Sequence, residues 1–597
     1  MRCQPLPLRL RCERPGSRMP DEERREPARQ RAGGGNTVAV SDDFTRPSAA
    51  IRLPLLRLGI ERRTLLVALG FIAATLFLRL PTFFEPPWHA DEGIFAAVAQ
   101  RVAGGGQLYA DAWEAKPPLF IYIYVALNEA FGGGVLPLRI ATAISAIGTE
   151  LALFAISGRF LSRRYAFLAA GLLAVLLAVP FWEGNLALAD TFVILPSSLA
   201  VLCCLNAARE SQSTPSQTAR WSLLAGVLFG AAFLIRPTSV VVGLAVVLWL
   251  LVSGRPWLRG STLMALGGAL AILPVVGAFA LFGSFYWFWN ANVGFFFDYV
   301  PSGRELPFHY RPLIATPTLV TLAALAWYRW REGATPRWSL AALWLSLALA
   351  VALLTGRPYS HYLLQAFPPL SLLVALLLSS MASQRLAWRP RFEHGPAFAI
   401  AGAIAVLWLA IVTPAFNGNA LAMRYTKSLN YYSNFAAWSL GLKSQDAYDD
   451  YFDRRVNLTE RLDATLDRLG AEEQEVYIWG EVPWTYALAD SQPATRYVTS
   501  FYVLLIPSLD VGLGSVLEEA DPRFIVVTGD VWPRIQDDSG ILKRRYFVAT
   551  RAINSLIARR YEQVAVVGRA RIFQRTPERP TVSNRPPLLP VAETVSR

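Results

Sequence analysis

The amino-acid sequence predicts a polytopic α-helical membrane protein with a small α/β domain at its C-terminal end, and three observations predict it. Hydrophobic residues make up 53% of the 597-residue chain, charged residues only 17%, and the mean hydropathy is +0.33, more apolar than a soluble chain of this length. About eleven apolar runs are long enough to cross a bilayer with tilt. The arginines gather in every second loop between those runs, the orientation signal of a cytoplasmic-membrane protein. The net charge of +13 is therefore distributed over short loops, and nucleic-acid binding is excluded. Four cysteines, Cys3, Cys12, Cys203 and Cys204, fall in the N-terminal segment and inside one apolar run, so no disulfide framework is readable.

Residues 1–60 are rich in Arg, Pro and Gly without periodicity and predict a disordered cytoplasmic tail. Nothing there resembles the apolar core of a cleavable signal. A transmembrane domain is expected over 61–416. Its first span runs from Thr64 to Leu80 behind Arg62 and Arg63. Ten more centre on 136–158, 166–181, 191–207, 222–235, 238–252, 261–282, 313–327, 338–354, 362–380 and 397–415. The short run from Leu119 to Phe131 carries Tyr122, Tyr124, Asn128 and Glu129 and predicts an interfacial or re-entrant segment. The triplets Gly104–Gly106 and Gly132–Gly134 read as turns.

With the N-terminus inside, every inner loop carries at least two arginines, as the charge rule asks: Arg159, Arg163 and Arg164, then Arg209 and Arg220, then Arg255 and Arg259, and so on. The outer side collects Asp91, Glu92, Asp111, Glu114, Glu183, Asp190, Asp298 and Glu305. An odd number of spans places residues 417–576 outside. That region alternates helix-like and strand-like pieces: Asn457–Leu469 has helical spacing, while Glu475–Trp479 and Phe524–Val527 read as buried strands. A small extracytoplasmic α/β domain follows, and the Pro-rich residues 577–597 predict a disordered tail.

Chemistry concentrates on the outer side. Asp91 and Glu92 follow the first span at the start of a helix, where ionisable groups are costly unless used, and Asp91 is placed to cap that helix. Lys116 is the only lysine before residue 427 and lies where the charge rule disfavours cations. Beside the stiff Pro117-Pro118 pair, it suits an anionic headgroup such as a phosphate. Asp190 stands at the edge of a span and should face a cavity or a partner. Arg236 ends another span against the orientation rule, and the connection Arg357-Pro358-Tyr359-Ser360-His361-Tyr362 adds a cation, an imidazole and phenols. His89, His309 and His361 all fall outside the membrane on this side, but no metal-ligand spacing joins them and no metal site is predicted. The aromatic stretch Phe285–Phe297 suits an interface belt or a groove for a lipid tail.

These residues resemble a known group. The acidic pair in the first outer loop, the Lys116-Pro117-Pro118 that closes it, Asp190 before a later span, and His361-Tyr362 followed by Pro368-Pro369 are similar to GT-C glycosyltransferases. The nearest branch contains the protein O-mannosyltransferases and the lipid A aminoarabinose transferase, and the likeness covers about residues 60–415. The resemblance implies inverting transfer of a sugar from a polyprenyl-phosphate donor to an acceptor outside the cytoplasmic membrane, whether an envelope glycan, a lipid or a protein. By carry-over, Asp91 matches the catalytic carboxylate, Glu92 its companion, Asp190 the second acidic position and Lys116 the phosphate-contacting lysine. Arg236 and Arg357 are the further donor-phosphate candidates. His361, Tyr362, Tyr359 and His89 are the substrate-binding candidates. The chain lacks the domain that protein O-mannosyltransferases insert between spans, which argues against a protein acceptor.

The chemistry read from the residues agrees. Attack at the anomeric carbon needs a base for the acceptor hydroxyl, which Asp91 supplies as a carboxylate. The departing lipid phosphate develops charge that Lys116 and nearby arginines stabilise, so no cofactor is expected, with a divalent metal left open. Asp190 would orient Lys116 or the acceptor. The alternative class is a transporter or flippase for a lipid-linked sugar, which predicts internal repeats and charges at span midpoints. Neither is seen. The sugar, the prenyl length and the oligomeric state are not encoded in any motif.

Overall fold

The computed structural model describes residues 62–576 except 211–213, 256, 298–314, 334–336, 353, 355–358, 387–419, 507–508 and 529–539. Both expected tails, the eleventh expected span at 397–415, His309 and Arg357 lie outside the described residues.

The chain begins with α1 (Arg62–Leu78), α2 (Ala90–Ala103), α3 (Pro118–Phe131), α4 (Val135–Ser157) and α5 (Arg163–Ala178). It continues through α6 (Ala189–Glu210), α7 (Pro215–Ile235), α8 (Val240–Val252), α9 (Trp257–Leu281) and α10 (Phe285–Trp289), the last running into a π-helical turn at Asn290–Gly294. Then come α11 (Thr316–Glu332), α12 (Ser339–Ala352) and α13 (Phe367–Leu386), entered by a 3-10 turn at Ser360–Ala366. Every expected span within the described residues holds a helix. Five stretches among those residues are both long and apolar enough to cross a membrane: Val135–Ser157, Ala189–Arg209, Pro215–Ile235, Leu258–Leu281 and Ser360–Ala382. Shorter apolar helices accompany them, and the chain is a multi-pass membrane protein.

Small residues set the closest helix contacts. A Cβ added at Gly226 of α7 would lie 2.1 Å from the Met264 carbonyl oxygen of α9, and one at Gly267 would lie 2.2 Å from the Leu223 carbonyl oxygen. Only glycine permits backbones this near, the usual packing device where lipid gives helices no hydrophobic drive to associate. The outer face of α9 instead exposes Leu266, Leu270, Leu273 and Leu281, as a lipid-facing surface does. Between α3 and α4 the chain turns through Gly132 and Gly134 at φ of 76° and 132°, conformations closed to side-chain-bearing residues.

The remaining helices are α14 (Ala420–Ser439), α15 (Gln445–Asp449), α16 (Arg455–Arg468), α17 (Trp484–Leu488), α18 (Ser500–Leu505), α19 (Leu509–Ala520) and α20 (Ile541–Arg560). Five strands join them: β1 (Glu475–Trp479), β2 (Gln492–Pro493), β3 (Phe524–Val527), β4 (Tyr561–Val567) and β5 (Ala570–Arg575). They form one sheet of order β2-β1-β3-β5-β4, parallel from β2 to β3 and antiparallel from β3 to β4. The expected strands are β1 and β3, buried along nearly their whole length. The β4–β5 hairpin, closed at Gly568 with φ 59°, is absent from the sequence reading because its β4 burial alternates weakly.

Candidate active site

The connection after α1, which the charge rule expects outside, leads through a 3-10 turn at Leu80–Phe84 to α2. The N-cap of α2 is His89, whose side chain makes no capping bond. Asp91 is therefore not the cap that sequence predicts; it sits inside the first turn, where the dipole of the helix favours acidic residues. The helix begins at Ala90, so its N-cap falls two residues earlier than the sequence places it. Asp91 is half-buried and, among the described residues, makes no hydrogen bond or ion pair.

Its neighbour Glu92 is the opposite, with no exposure at all. Both Glu92 oxygens meet the Arg139 guanidinium of α4, one at 2.9 Å, and the backbone N–H of Ala187 donates to Oε1 at 2.6 Å. Arg139 also pairs with Glu85 at 3.1 Å. Glu85 in turn accepts from Asn185 at 2.7 Å, the Tyr431 hydroxyl at 2.5 Å and the Trp88 indole at 3.1 Å. Arg79 reaches the carbonyls of Leu177 and Gly184 at 3.0 and 2.6 Å. Burying such charges is costly unless each is matched, and here two carboxylates and two guanidinia share one enclosed network. The network fastens the loop carrying Asp91 to the loop that precedes Asp190.

Lys116 ends the same first connection. Its ammonium lies 3.7 Å from the Glu114 carboxylate and 5.4 Å above the Phe95 ring of α2, and its side chain is 32% exposed. Glu114 itself is completely buried. The Tyr502 hydroxyl of α18 lies 3.0 and 2.9 Å from its two oxygens. Burial pushes the Glu114 carboxyl above its usual range, against the pull of Lys116 and Tyr502, and the nearby Asp91 charge adds to the rise. Aromatic residues wall this loop. Trp113 packs on Phe295 and Tyr502, and Tyr109 on Phe279 and Phe288. One side of the aromatic stretch thus packs on the loop, while Tyr286, Trp289 and Phe297 remain exposed.

The second group lies on the connections before α6, after α7 and before α13. Asp190, at the start of α6, pairs with Arg236 at 2.5 Å, so of the two roles expected for it, orienting Lys116 or the acceptor, the pairing with Lys116 is not formed. The reason is connectivity: Arg236 ends α7, which packs along α6, whereas Lys116 is held by Glu114, two residues before it. The Arg236 guanidinium also lies 4.7 Å over the Tyr362 ring and donates to Thr238 at 3.0 Å. Tyr362 meets His361 edge-on, and Tyr359 stacks on His361 at an interplanar angle of 7°. Nδ1 of His361 is 2.5 Å from the Glu183 carboxylate and donates to it. Glu183 adopts φ 58°, a left-handed conformation that a non-glycine residue holds only when its surroundings enforce it. Burial alone would raise the Glu183 carboxyl, but the bond and charge of His361, the charge of His89 and a bond from Ser360 together hold it below its usual range.

The structure thus gathers Asp190, Arg236, Tyr362, His361 and Tyr359 into one run of contacts, and Glu114, Lys116 and Phe95 into another, with Asp91 close enough for its charge to act on Glu114. His89, close enough to act on Glu183, links the two. A chain of rings from Phe95 through Phe120 to Phe192 of α6 does the same, at 4.8 and 6.3 Å. Sequence reasoning missed the roles of Arg139, Glu85, Glu114 and Glu183. Arg139 carried a usable signal: it is a cation near the end of a span that the charge rule expects to be the outer one, the feature that singled out Arg236. Among the described residues no three His, Cys, Asp or Glu side chains gather as a metal ion would need.

A family model described as "Dolichyl-phosphate-mannose-protein mannosyltransferase" matches residues 115–279, a stretch that holds Lys116, Glu183, Asp190 and Arg236 but not Asp91. The chain is 26% identical over 379 residues to the undecaprenyl phosphate-alpha-4-amino-4-deoxy-L-arabinose arabinosyl transferase of Pseudomonas paraeruginosa, covering 58% of this chain and 66% of the relative. It is 27% identical over 335 residues to the enzyme of the same name from Pseudomonas aeruginosa strain PAO1, covering 51% of this chain and 58% of the relative. The chain therefore spans less than two thirds of these relatives. Among solved structures, the crystal structure of ArnT from Cupriavidus metallidurans bound to undecaprenyl phosphate matches at a TM-score of 0.52 and 16% identity, covering 85% of this chain and 97% of that one. That is a likeness of fold.

Proposed function

We propose, from the premise that the chain is a GT-C glycosyltransferase of the type shared by the aminoarabinose transferases and the protein mannosyltransferases, that it moves a sugar from a polyprenyl-phosphate donor to an acceptor outside the cytoplasmic membrane, with inversion. One observation carries the residue assignment. Each of the other five carboxylates of the site, Glu85, Glu92, Glu114, Glu183 and Asp190, has an internal basic partner, while half-buried Asp91 has none. A base must keep its lone pairs free for a proton that arrives with the substrate.

In this reading Asp91 accepts the proton of the acceptor hydroxyl as that oxygen attacks the anomeric carbon. The bond from that carbon to the lipid phosphate breaks, and the phosphate leaves as an anion against the open side of Lys116. A phosphate leaving group needs no strong general acid, so a base and a cation suffice and no cofactor is invoked. Glu92 acts through Arg139 to aim the first turn of α2, which makes it a positioning residue. Asp190 fixes Arg236 near Tyr362 and His361, where the sugar and the acceptor would lie. The N-terminus is inside, the eleven spans end with the C-terminal domain of residues 417–576 outside, and the donor sugar is a hexose or a pentose.

Mass spectrometry of lipid co-purifying with the full chain, followed by incubation with an undecaprenyl-phosphate-linked sugar, tests the reading. Co-purified polyprenyl phosphate and acceptor-dependent release of undecaprenyl phosphate are expected, with Lys116→Ala weakening donor use about tenfold or more. Absence of both lipid and release in the unaltered protein overturns the proposal.

A further inference from the structure

The C-terminal domain grips the loop that carries Lys116. The Trp113 backbone N–H donates to the Arg496 carbonyl at 2.9 Å, and the Trp113 ring meets Tyr497 and Tyr502 at 5.5 and 4.9 Å. On α2, Gln100 donates to Asp490 at 2.7 Å, and the Trp484 indole donates to the His89 carbonyl at 2.9 Å. A Cβ at Gly93 would lie 2.8 Å from the Trp484 backbone nitrogen, so α17 rests directly on the helix that bears Asp91. Within this grip a polar contact touches the candidate donor site itself: the Tyr502 hydroxyl on Glu114, whose other partners are Lys116 and the backbone N–H of Ala115.

We infer that the C-terminal domain completes the donor site, with Tyr502 and Glu114 acting as positioning residues that hold the Lys116 ammonium for a lipid phosphate. The inference rests on the reading of Lys116 as the phosphate contact. Glu114 has no exposure, so its carboxylate stays at its place only while matched on all sides. Tyr502 supplies the match from the domain side and Lys116 from the membrane side. At 3.7 Å the ammonium is paired with Glu114 but not saturated by it, and three donors on one nitrogen leave capacity for an anion on its exposed side. Phe95 beneath it bars retreat toward α2. Without Tyr502 the carboxylate would draw the lysine inward to satisfy itself, and the head facing the donor would be lost.

Undecaprenyl phosphate binding to the purified full chain, with initial rates on an undecaprenyl-phosphate-linked sugar, tests this. Tyr502→Phe keeps the ring on Trp113 and removes only the hydroxyl. It is expected to raise the Kd for undecaprenyl phosphate and the donor KM about tenfold while kcat stays within about twofold. Glu114→Gln, which keeps the acceptor for Tyr502 but drops the charge facing Lys116, should do the same. The double variant should be no worse than either single one, because the two groups act as a unit. Unchanged Kd and KM in both single variants overturn the inference while leaving the donor reading intact. Failure of the unaltered protein to bind undecaprenyl phosphate overturns both.

Discussion

At the scale of single residues, the site is a contrast between acids that are spoken for and one that is not. Glu92 and Glu85 share Arg139, and all three side chains are wholly out of solvent. Replacing Arg139 by Met keeps the volume but strands two carboxylates, a loss on the order of 3–5 kcal/mol when one member of a buried pair is removed. A thermal melting midpoint equal to that of the unaltered protein would show the network to be dispensable. Glu183 gives a test in pH. Its carboxyl lies below the usual range in the folded chain, chiefly because the bond and charge of His361 outweigh burial. The unfolded chain therefore takes up that proton more readily. The stabilisation is present above the ordinary carboxylate pKa of about 4 and fades as pH falls through the lower, folded value. The gap in melting midpoint between the unaltered protein and Glu183→Gln should be widest near neutrality and close in acid; a gap that widens in acid would contradict the assignment.

At the scale of elements, glycines mark the contacts that tolerate nothing. A methyl at Gly226 would meet the Met264 carbonyl, and one at Gly93 would meet Trp484, whereas one at Gly171 of α5 meets no atom within 4 Å. Gly226→Ala and Gly93→Ala should each destabilise by about 1–3 kcal/mol through overpacking. Gly171→Ala should be neutral or stabilise by up to about 1 kcal/mol through helix propensity. Equal melting of all three would mean that the helices can separate at no cost. Much at this scale was legible in the sequence, since long apolar runs leave only a helix as a way to satisfy the backbone in lipid. Helices at the expected spans within the described residues, and the two buried strands, followed directly from it. The β4–β5 hairpin did not, because the burial of β4 alternates weakly and its strand signal is faint. The N-terminus of α2 was also misplaced, with His89 and not Asp91 at the cap, since Asp is simply the commoner N-cap.

At the scale of the whole molecule, charge counting predicts one side of the membrane for the acids between spans but does not say which pairs form. Positive-inside counting yields sidedness, and sidedness is shared by every outer residue. Pairing depends on which helices pack. Thus Asp190 took Arg236 because α6 lies along α7, and Lys116 took Glu114 from its own loop. The C-terminal domain was read as a separate module, yet Trp484, Asp490, Arg496 and Tyr502 all contact the first outer connection or α2. It packs both on α2, which carries the candidate base, and on the loop that carries the candidate cation.

The central claim is that the carboxylate without an internal partner is the one that performs the transfer. It is tested most directly by measuring sugar transfer from an undecaprenyl-phosphate donor with Asp91→Asn, a change that removes the base and, since Asp91 holds nothing else in place, leaves the melting midpoint within about 1 kcal/mol of stability. The account predicts a fall in rate of about 100- to 10,000-fold, the range for loss of a positioned base, with undecaprenyl phosphate still bound. A folded Asp91→Asn protein that transfers sugar at the unaltered rate would contradict it.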